Sequence, residues 1–310
     1  MPLRFTLRQL EYFVAVGEAG SIAAAAERTH VSPPSISAAL RALEAELGVA
    51  LFIRRHAHGL ALTPSGRQLL AETRRILGAA EGLTALASDI GEAATGPLAL
   101  GCLQTFAPLI LPELRRGFEA AYPEVRVTQY ALDHADLLER LLTGALDLAL
   151  TYDLAVPPEI DFEPLASLTP WVILPAAHPL AARPSLAPED LAGEPMVLLD
   201  LPHSADYFLS LFEAAGRRPR IAERSRDMAL VRAMVANGYG FSLINTRTAQ
   251  DQAPDGKRLA LVPLASGLRP LALGLATPRG GFARRTPAAF RDHCRAAIAA
   301  AGLPGCLPAP

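Results

Sequence analysis

The chain has 310 residues, more than one small domain needs and enough for two or three. Hydrophobic residues make up 51% and charged residues 19%, so a large core can form and global disorder is excluded. The formal charge of −2 announces neither a nucleic acid nor a membrane in bulk, and three cysteines without metal-like spacing (Cys102, Cys294, Cys306) exclude a disulfide scaffold or zinc module. Pro, Gly, Arg or Asp breaks every apolar run before the ~18 residues a membrane span requires. The first residues lack the apolar stretch and cleavage site of a secretory signal, so the expectation is a cytoplasmic protein with no membrane partner.

Leu7, Leu10, Phe13 and Val14 recur at helical spacing and end at Gly17 and Gly20. Ser21 is placed to cap an alanine-rich helix over 22–28, whose small side chains allow another helix to cross closely. After a turn at 29–32, Ser32 caps and Pro33 opens a third helix, with an inner stripe of Ile36, Leu40, Leu43 and Leu47 and a stop at Gly48. Residues 51–55 and 60–63 read as two strands around a turn at 56–59. A tight small-residue helix, a short turn and a second helix with one free face meet the demands of a helix–turn–helix.

Thr63-Pro64 starts a longer helix in which Leu69, Ile76, Leu83 and Ile90 repeat every seven residues. That seam predicts dimerisation through these four positions. Packing of the helix on its own domain is the alternative.

From residue 98 the pattern alternates between strands (98–102, 125–131, 146–152, 171–174, 196–199, 240–244, 271–276) and helices (107–122, one ending near 144, 205–215, 227–237, 287–301). This alternation predicts a mostly parallel, doubly wound α/β domain. Helix starts at Gln104-Thr105, His203-Ser204 and Ser225 offer N–H groups and a favourable dipole, so a carboxylate ligand is expected there. Phe106, Tyr152, Tyr207 and Phe241 are candidates to wall an apolar pocket, or are plain core.

The segment from Leu7 to Arg55, with Ala25-Ala26, Val31-Ser32, Pro34, Ser37, Leu43-Glu44, Leu47-Gly48, Leu51-Phe52 and Arg54, then Leu62-Thr63 and Gly66, resembles the winged helix–turn–helix of LysR-type transcriptional regulators. Pro97-Leu98, Leu111-Pro112, Tyr122-Pro123, Gly144 with Leu146-Asp147, and 178–181 resemble that family's effector domain. The resemblance implies an α/β domain of two lobes, similar to type 2 periplasmic binding proteins, with crossovers near 163–168 and 264–269. The implied organisation is a DNA-binding domain over 1–62, a linker helix over 63–92, and an effector domain over 93–301 followed by a tail, 302–310. Lobe I takes 93–163 and 268–301, and lobe II takes 164–267.

The implied partners are double-stranded promoter DNA with a dyad, a small-molecule effector between the lobes, RNA polymerase if transcription is activated, and further copies in a homodimer or homotetramer. The expected DNA contacts are Ser32, Pro33, Pro34, Ser35, Ser37, Ala38 and Arg41 on the third helix, and Arg54, Arg55 and His58 on the wing. Where the family commonly carries Gln, Arg and Gln, this chain has Pro33, Ala38 and Ala39, which leaves few donors for base edges. The expected effector contacts are Gln104, Thr105, Phe106, Tyr152, His203, Ser204, Ser225 and Phe241. Peroxide-sensing relatives use a cysteine pair in the second lobe, and 164–265 contains none.

Enzyme readings fare poorly. The single lysine, Lys257, sits in Asp-Gly-Lys between proline-rich loops, unsuited to a Schiff base, and neither GxSxG nor HExxH occurs. His56 and His58 lack further ligands nearby, so no metal is expected, and no cofactor is implied. A transport-type binding protein would require an export signal.

Overall fold

A computed structural model describes residues 4–55, 59–89, 94–245, 247–265 and 270–306. The described chain divides into two compact units, one built on residues 1–90 and one on most of 91–310.

The first unit starts with three short helices, each stopped by local chemistry. Helix α1 (Leu7–Ala19) opens with a capping box between Thr6 and Gln9, and Gly20 closes it at φ 62. Gly20, and not Gly17, is therefore the stop. Helix α2 (Ile22–Thr29) is capped by Ser21, and α3 (Pro33–Leu47) by Ser32 with proline in its first turn. Gly48 adopts φ 70 and ends α3. Phe13, Ala25, Ile36 and Leu43 are fully buried in one core. Strands β1 (Phe52–Arg55) and β2 (Gly59–Leu62) pair antiparallel beside it as a wing. Thr63 Oγ1 accepts the Gly66 N–H at 2.8 Å, so Thr63 starts helix α4 (Pro64–Asp89).

The second unit has two sheets. In the first, order β4-β3-β5-β12-β6, strands β3 (Gly96–Leu103), β4 (Val125–Leu132) and β5 (Leu148–Tyr152) run parallel. Strand β12 (Leu271–Pro278) is antiparallel to both β5 and β6 (Ile160–Leu168). Helices α5 (Ala107–Ala121), α6 (His134–Leu142) and α9 (Arg285–Ala301) contribute Ile110, Phe118, Leu137 and Phe290 to its core.

The second sheet places β7 (Trp171–Pro175) antiparallel between β10 (Ser242–Ile244) and β11 (Leu259–Pro263). Strands β8 (Pro195–Leu199) and β9 (Arg220–Ser225) run parallel, and a Met196–Phe241 bridge joins them to the edge at β10. Alternate residues serve opposite faces. Val172 and Leu174 face the core that includes Phe208 of helix α7 (Ser204–Glu213), whereas Trp171 and Ile173 face the core of helix α8 (Met228–Ala236).

The first sheet is mixed and β7 pairs antiparallel with both its neighbours, which corrects the expectation of a mostly parallel domain. The chain leaves the first sheet, builds the second and returns, and the returning β12 enters the first sheet against its direction. Strand β6 pairs with β12 through Leu168, so the crossover follows that residue and lies beyond the expected boundary at 163. Of the returning crossover, 266–269 lie outside the described residues.

Candidate functional site

On α3 the buried stripe of Ile36, Leu40 and Leu43 fixes which face is free. Ser32, Pro33, Pro34, Ser35, Ala38 and Arg41 are exposed and Ser37 is half-buried. The Ser32 and Ser35 hydroxyls lie 2.8 Å apart and satisfy each other, and Ser32 also caps the Ser35 N–H. Glu18 draws Arg28 and Arg74 into ion pairs at 3.3 and 3.1 Å. Arg41 has no ion pair among the described residues, which leaves it available to a phosphate. Arg54 and Arg55 lie on β1 of the wing. His58 lies outside the described residues.

Along α4, Leu69 leans on the core of its own head, Ile76 is 40% exposed and Leu83 is 70% exposed. Ile90 lies outside the described residues.

In the second unit a cavity of about 750 Å³ opens between the two sheets, and Gln104, Thr105, Phe106, Tyr152 and Ser204 all line it. Tyr152 and Leu199 stand at the carboxyl ends of β5 and β8, where ligands of open α/β sheets are generally found. The Tyr152 ring meets Phe106 edge-on at 5.7 Å, and burial pushes its phenol well above the ordinary tyrosine range, against the pull of Asn245 and Thr105 at its hydroxyl. Tyr152 is therefore a neutral hydrogen-bonding group.

Three expected contacts lie elsewhere. Phe241 is 1% exposed and packs on Phe212 within the core of the second lobe, because the bridge to Met196 turns its ring inward. Ser225 accepts the Asp227 N–H at 3.1 Å and so shapes the turn before α8. His203 does not line the cavity. It adopts φ 62 and sets its ring edge-on to that of His134, 5.4 Å away on the first lobe. Tyr207 packs between the two lobe cores.

The starts of α7 and α8 are also less open to anions than their sequence suggests. Asp227 Oδ1 already accepts the Ala229 and Leu230 N–H groups of α8, at 2.7 and 3.3 Å. At α7 the Ser204 and Ala205 N–H groups donate to Pro202 and Leu201 carbonyls. What remains at Ser204 is chiefly its hydroxyl, and at Thr105 the hydroxyl stands at that of Tyr152.

Arg232, Asn245 and Asp227 line the same cavity and were not singled out from the sequence. A signal for Arg232 existed, since it is the one charge within the apolar run of α8. Cys102 is fully buried, and burial pushes its thiol far up, so it is an inert core residue.

A helix–turn–helix head with a wing, followed by a two-lobed domain around a ligand-sized cavity, defines a DNA-binding regulator that responds to a small molecule. Residues 7–67 match the model of the bacterial regulatory helix-turn-helix protein, lysR family, and residues 91–299 match the LysR substrate binding domain. The chain belongs to the LysR family, whose members are transcriptional regulators and not enzymes. It is 32% identical to the transcriptional activator protein LysR of Escherichia coli K12, over 94% of this chain and 93% of that one. Among solved structures it is similar to HinK, a LysR family transcriptional regulator from Pseudomonas aeruginosa (36% identity, TM-score 0.63, 94% of this chain and 98% of that one). It is also similar to full-length CbnR in complex with its target DNA (26% identity, TM-score 0.66, 94% and 99%).

Proposed function

We propose that a small organic acid enters the inter-lobe cavity as effector, where the hydroxyls of Thr105 and Ser204 hydrogen-bond it beside Phe106 and Tyr152. The observation that carries this reading is convergence: five residues from three separate segments of the sequence, 104–106, 152 and 204, line one cavity. Its volume of about 750 Å³ suits a metabolite-sized ligand.

Helix α3 and the wing dock on a dyad-related promoter site in a homodimer or homotetramer, with the exposed Ile76 and Leu83 of α4 in the contact between copies. CbnR, a relative, is described in complex with its target DNA, which supports this mode of action. Effector binding changes the orientation of the heads, and where it activates transcription RNA polymerase is the further partner. The protein acts in the cytoplasm, where promoter and metabolite meet. No helix among the described residues is long and apolar enough to cross a membrane.

A reporter driven by the DNA that flanks the gene, screened with organic acids, tests the proposal. Thr105→Val removes the acid-dependent change in transcription, and DNA binding without acid, measured on the same variant, separates lost response from lost folding. Full response in both Thr105→Val and Ser204→Ala overturns the assignment.

A further inference from the structure

Among the described residues that line the cavity, Arg232 is the one basic residue. Its Nη2 donates to the Gln250 and Gln252 carbonyls at 2.8 and 3.0 Å, which fixes the guanidinium in the wall. Neither partner carries a negative charge. Asp251, which lies between those two residues, is paired with Arg258 at 2.8 Å, and among the described residues Arg232 has no ion pair of its own. Burial lowers the pKa of Arg232 and the charge of Asp251 only partly opposes it, so a half-buried cation that no carboxylate touches gains from the arrival of an anion.

The opposite preference marks the inner end. Asn245 is 5% exposed, lines the cavity, and its Oδ1 has no hydrogen-bond partner. It is an acceptor waiting for a donor. Asp227, also in the wall, adds a negative charge that disfavours a second anion.

We infer that Arg232 is the charged anchor of the effector site, and that the effector is an acid with a hydrogen-bond-donating substituent, hydroxyl or amino, that reaches Asn245. This rests on the cavity being the effector site, but it moves the acidic group from the helix starts to the guanidinium of α8. Thr105 and Ser204 then serve the uncharged end.

Four six-carbon probes separate the possibilities: hexanoate, adipate, 6-hydroxyhexanoate and 6-aminohexanoate, each at millimolar concentration with the full chain, read by thermal unfolding. The hydroxy or amino acid raises the melting temperature of the wild type by about 2 °C or more, and hexanoate and adipate raise it less. Arg232→Gln loses the shift, and Arg232→Lys, which keeps the charge without the planar fork, retains part of it. Asn245→Leu removes the preference for the substituted acid over hexanoate. Were Arg232 only a strut for residues 250–252, Arg232→Gln would lower the melting temperature without probe but keep the probe-dependent shift.

A full shift in Arg232→Gln, an adipate response equal to that of the substituted acids, or no shift with any probe overturns the inference. Loss of the shift in Arg232→Gln together with a reporter indifferent to Thr105→Val and Ser204→Ala would sink the roles of those two hydroxyls and leave Arg232 standing.

Discussion

Arg226 of the second lobe reaches Asp133 of the first, Nη2 to Oδ2, at 2.6 Å. The Asp133 side chain is almost wholly buried and its other oxygen accepts the Asp136 N–H at the start of α6, so the acid is rigidly held. Gln104, in the cavity wall, donates to the Arg226 carbonyl at 3.5 Å. The pair therefore ties the lobes together at the edge of the cavity. Because Arg226 is itself mostly exposed, the pair contributes at most about 1 kcal/mol, or roughly five-fold in an opening equilibrium. Arg226→Ala is expected to speed amide exchange over 102–108 and 226–232 by up to that factor, and raised salt should do the same to the wild type. Exchange unchanged by both treatments would show that the pair does not restrain the lobes.

A second contact at the same edge has a pH signature. His134 is 1% exposed, with Nδ1 2.6 Å from Thr151 Oγ1 and Nε2 2.6 Å from the Leu154 carbonyl. A carbonyl can only accept, so Nε2 carries the proton and donates while the Thr151 hydroxyl donates to Nδ1. Burial is the main cause that lowers the pKa of His134, and His203 adds to it. The Leu154 carbonyl, Asp133 and Asp153 oppose them, and Tyr152 stands alongside as a neutral ring. The unfolded chain then binds a proton that the folded chain refuses. Stability is complete above about pH 6.5 and declines as pH falls below it, by at most about 1.4 kcal/mol per pH unit. Urea midpoints measured between pH 7.5 and 5.5 should fall less in His134→Asn than in the wild type. Parallel curves would refute the assignment.

Much of the head was legible because its signals are local. Ser21, Ser32 and Thr63 cap helices through their own backbone neighbourhood, and Gly48 stops α3 because only glycine takes φ 70 without strain. The cavity was legible in part. Gln104, Thr105 and Ser204 announce themselves at helix starts, but Asn245 matters only because strands distant in sequence bring it opposite Tyr152. Phe241 misled for the converse reason, since an aromatic residue near a strand start fits core and pocket equally until its neighbours are known. Strand β9, RIAERS, escaped notice because it is polar and largely exposed. Strand β12 was found but its direction was not, because direction depends on the route through the second lobe.

Leu83, exposed on α4 one heptad after Ile76, predicts the assembly. Two apolar side chains at this spacing on a water-facing stripe gain by packing against the same stripe of another copy. Leu69 contributes less than the repeat suggests, since it already packs on its own head. Leu83→Arg places a charge in that contact and should shift the particle toward the monomer in light scattering at micromolar concentration. A monomeric wild type under the same conditions would remove the basis for the prediction.

The exposed face of α3 predicts how DNA is read. Pro33, Pro34 and Ala38 offer apolar surface, Ser32 and Ser35 partly satisfy each other, and Arg41 is the one exposed cation there. Each bidentate side chain–base pair contributes about 1–3 kcal/mol of discrimination, and this face has little with which to form one. Base preferences within a half-site should therefore be shallow. Specificity then depends on half-site spacing set by the dimer and on DNA shape under the wing, where Arg54 and Arg55 lie on β1. Changing the spacing by half a helical turn, about five base pairs, should cost more affinity than any single base change. Arg55→Ala should weaken binding on all sequences alike, with a salt slope shallower by about one, as for a lost phosphate contact. Binding assays on operator variants decide the matter. If one or two base changes under α3 each eliminate binding while altered spacing is tolerated, the helix reads bases directly and the wing does not set specificity.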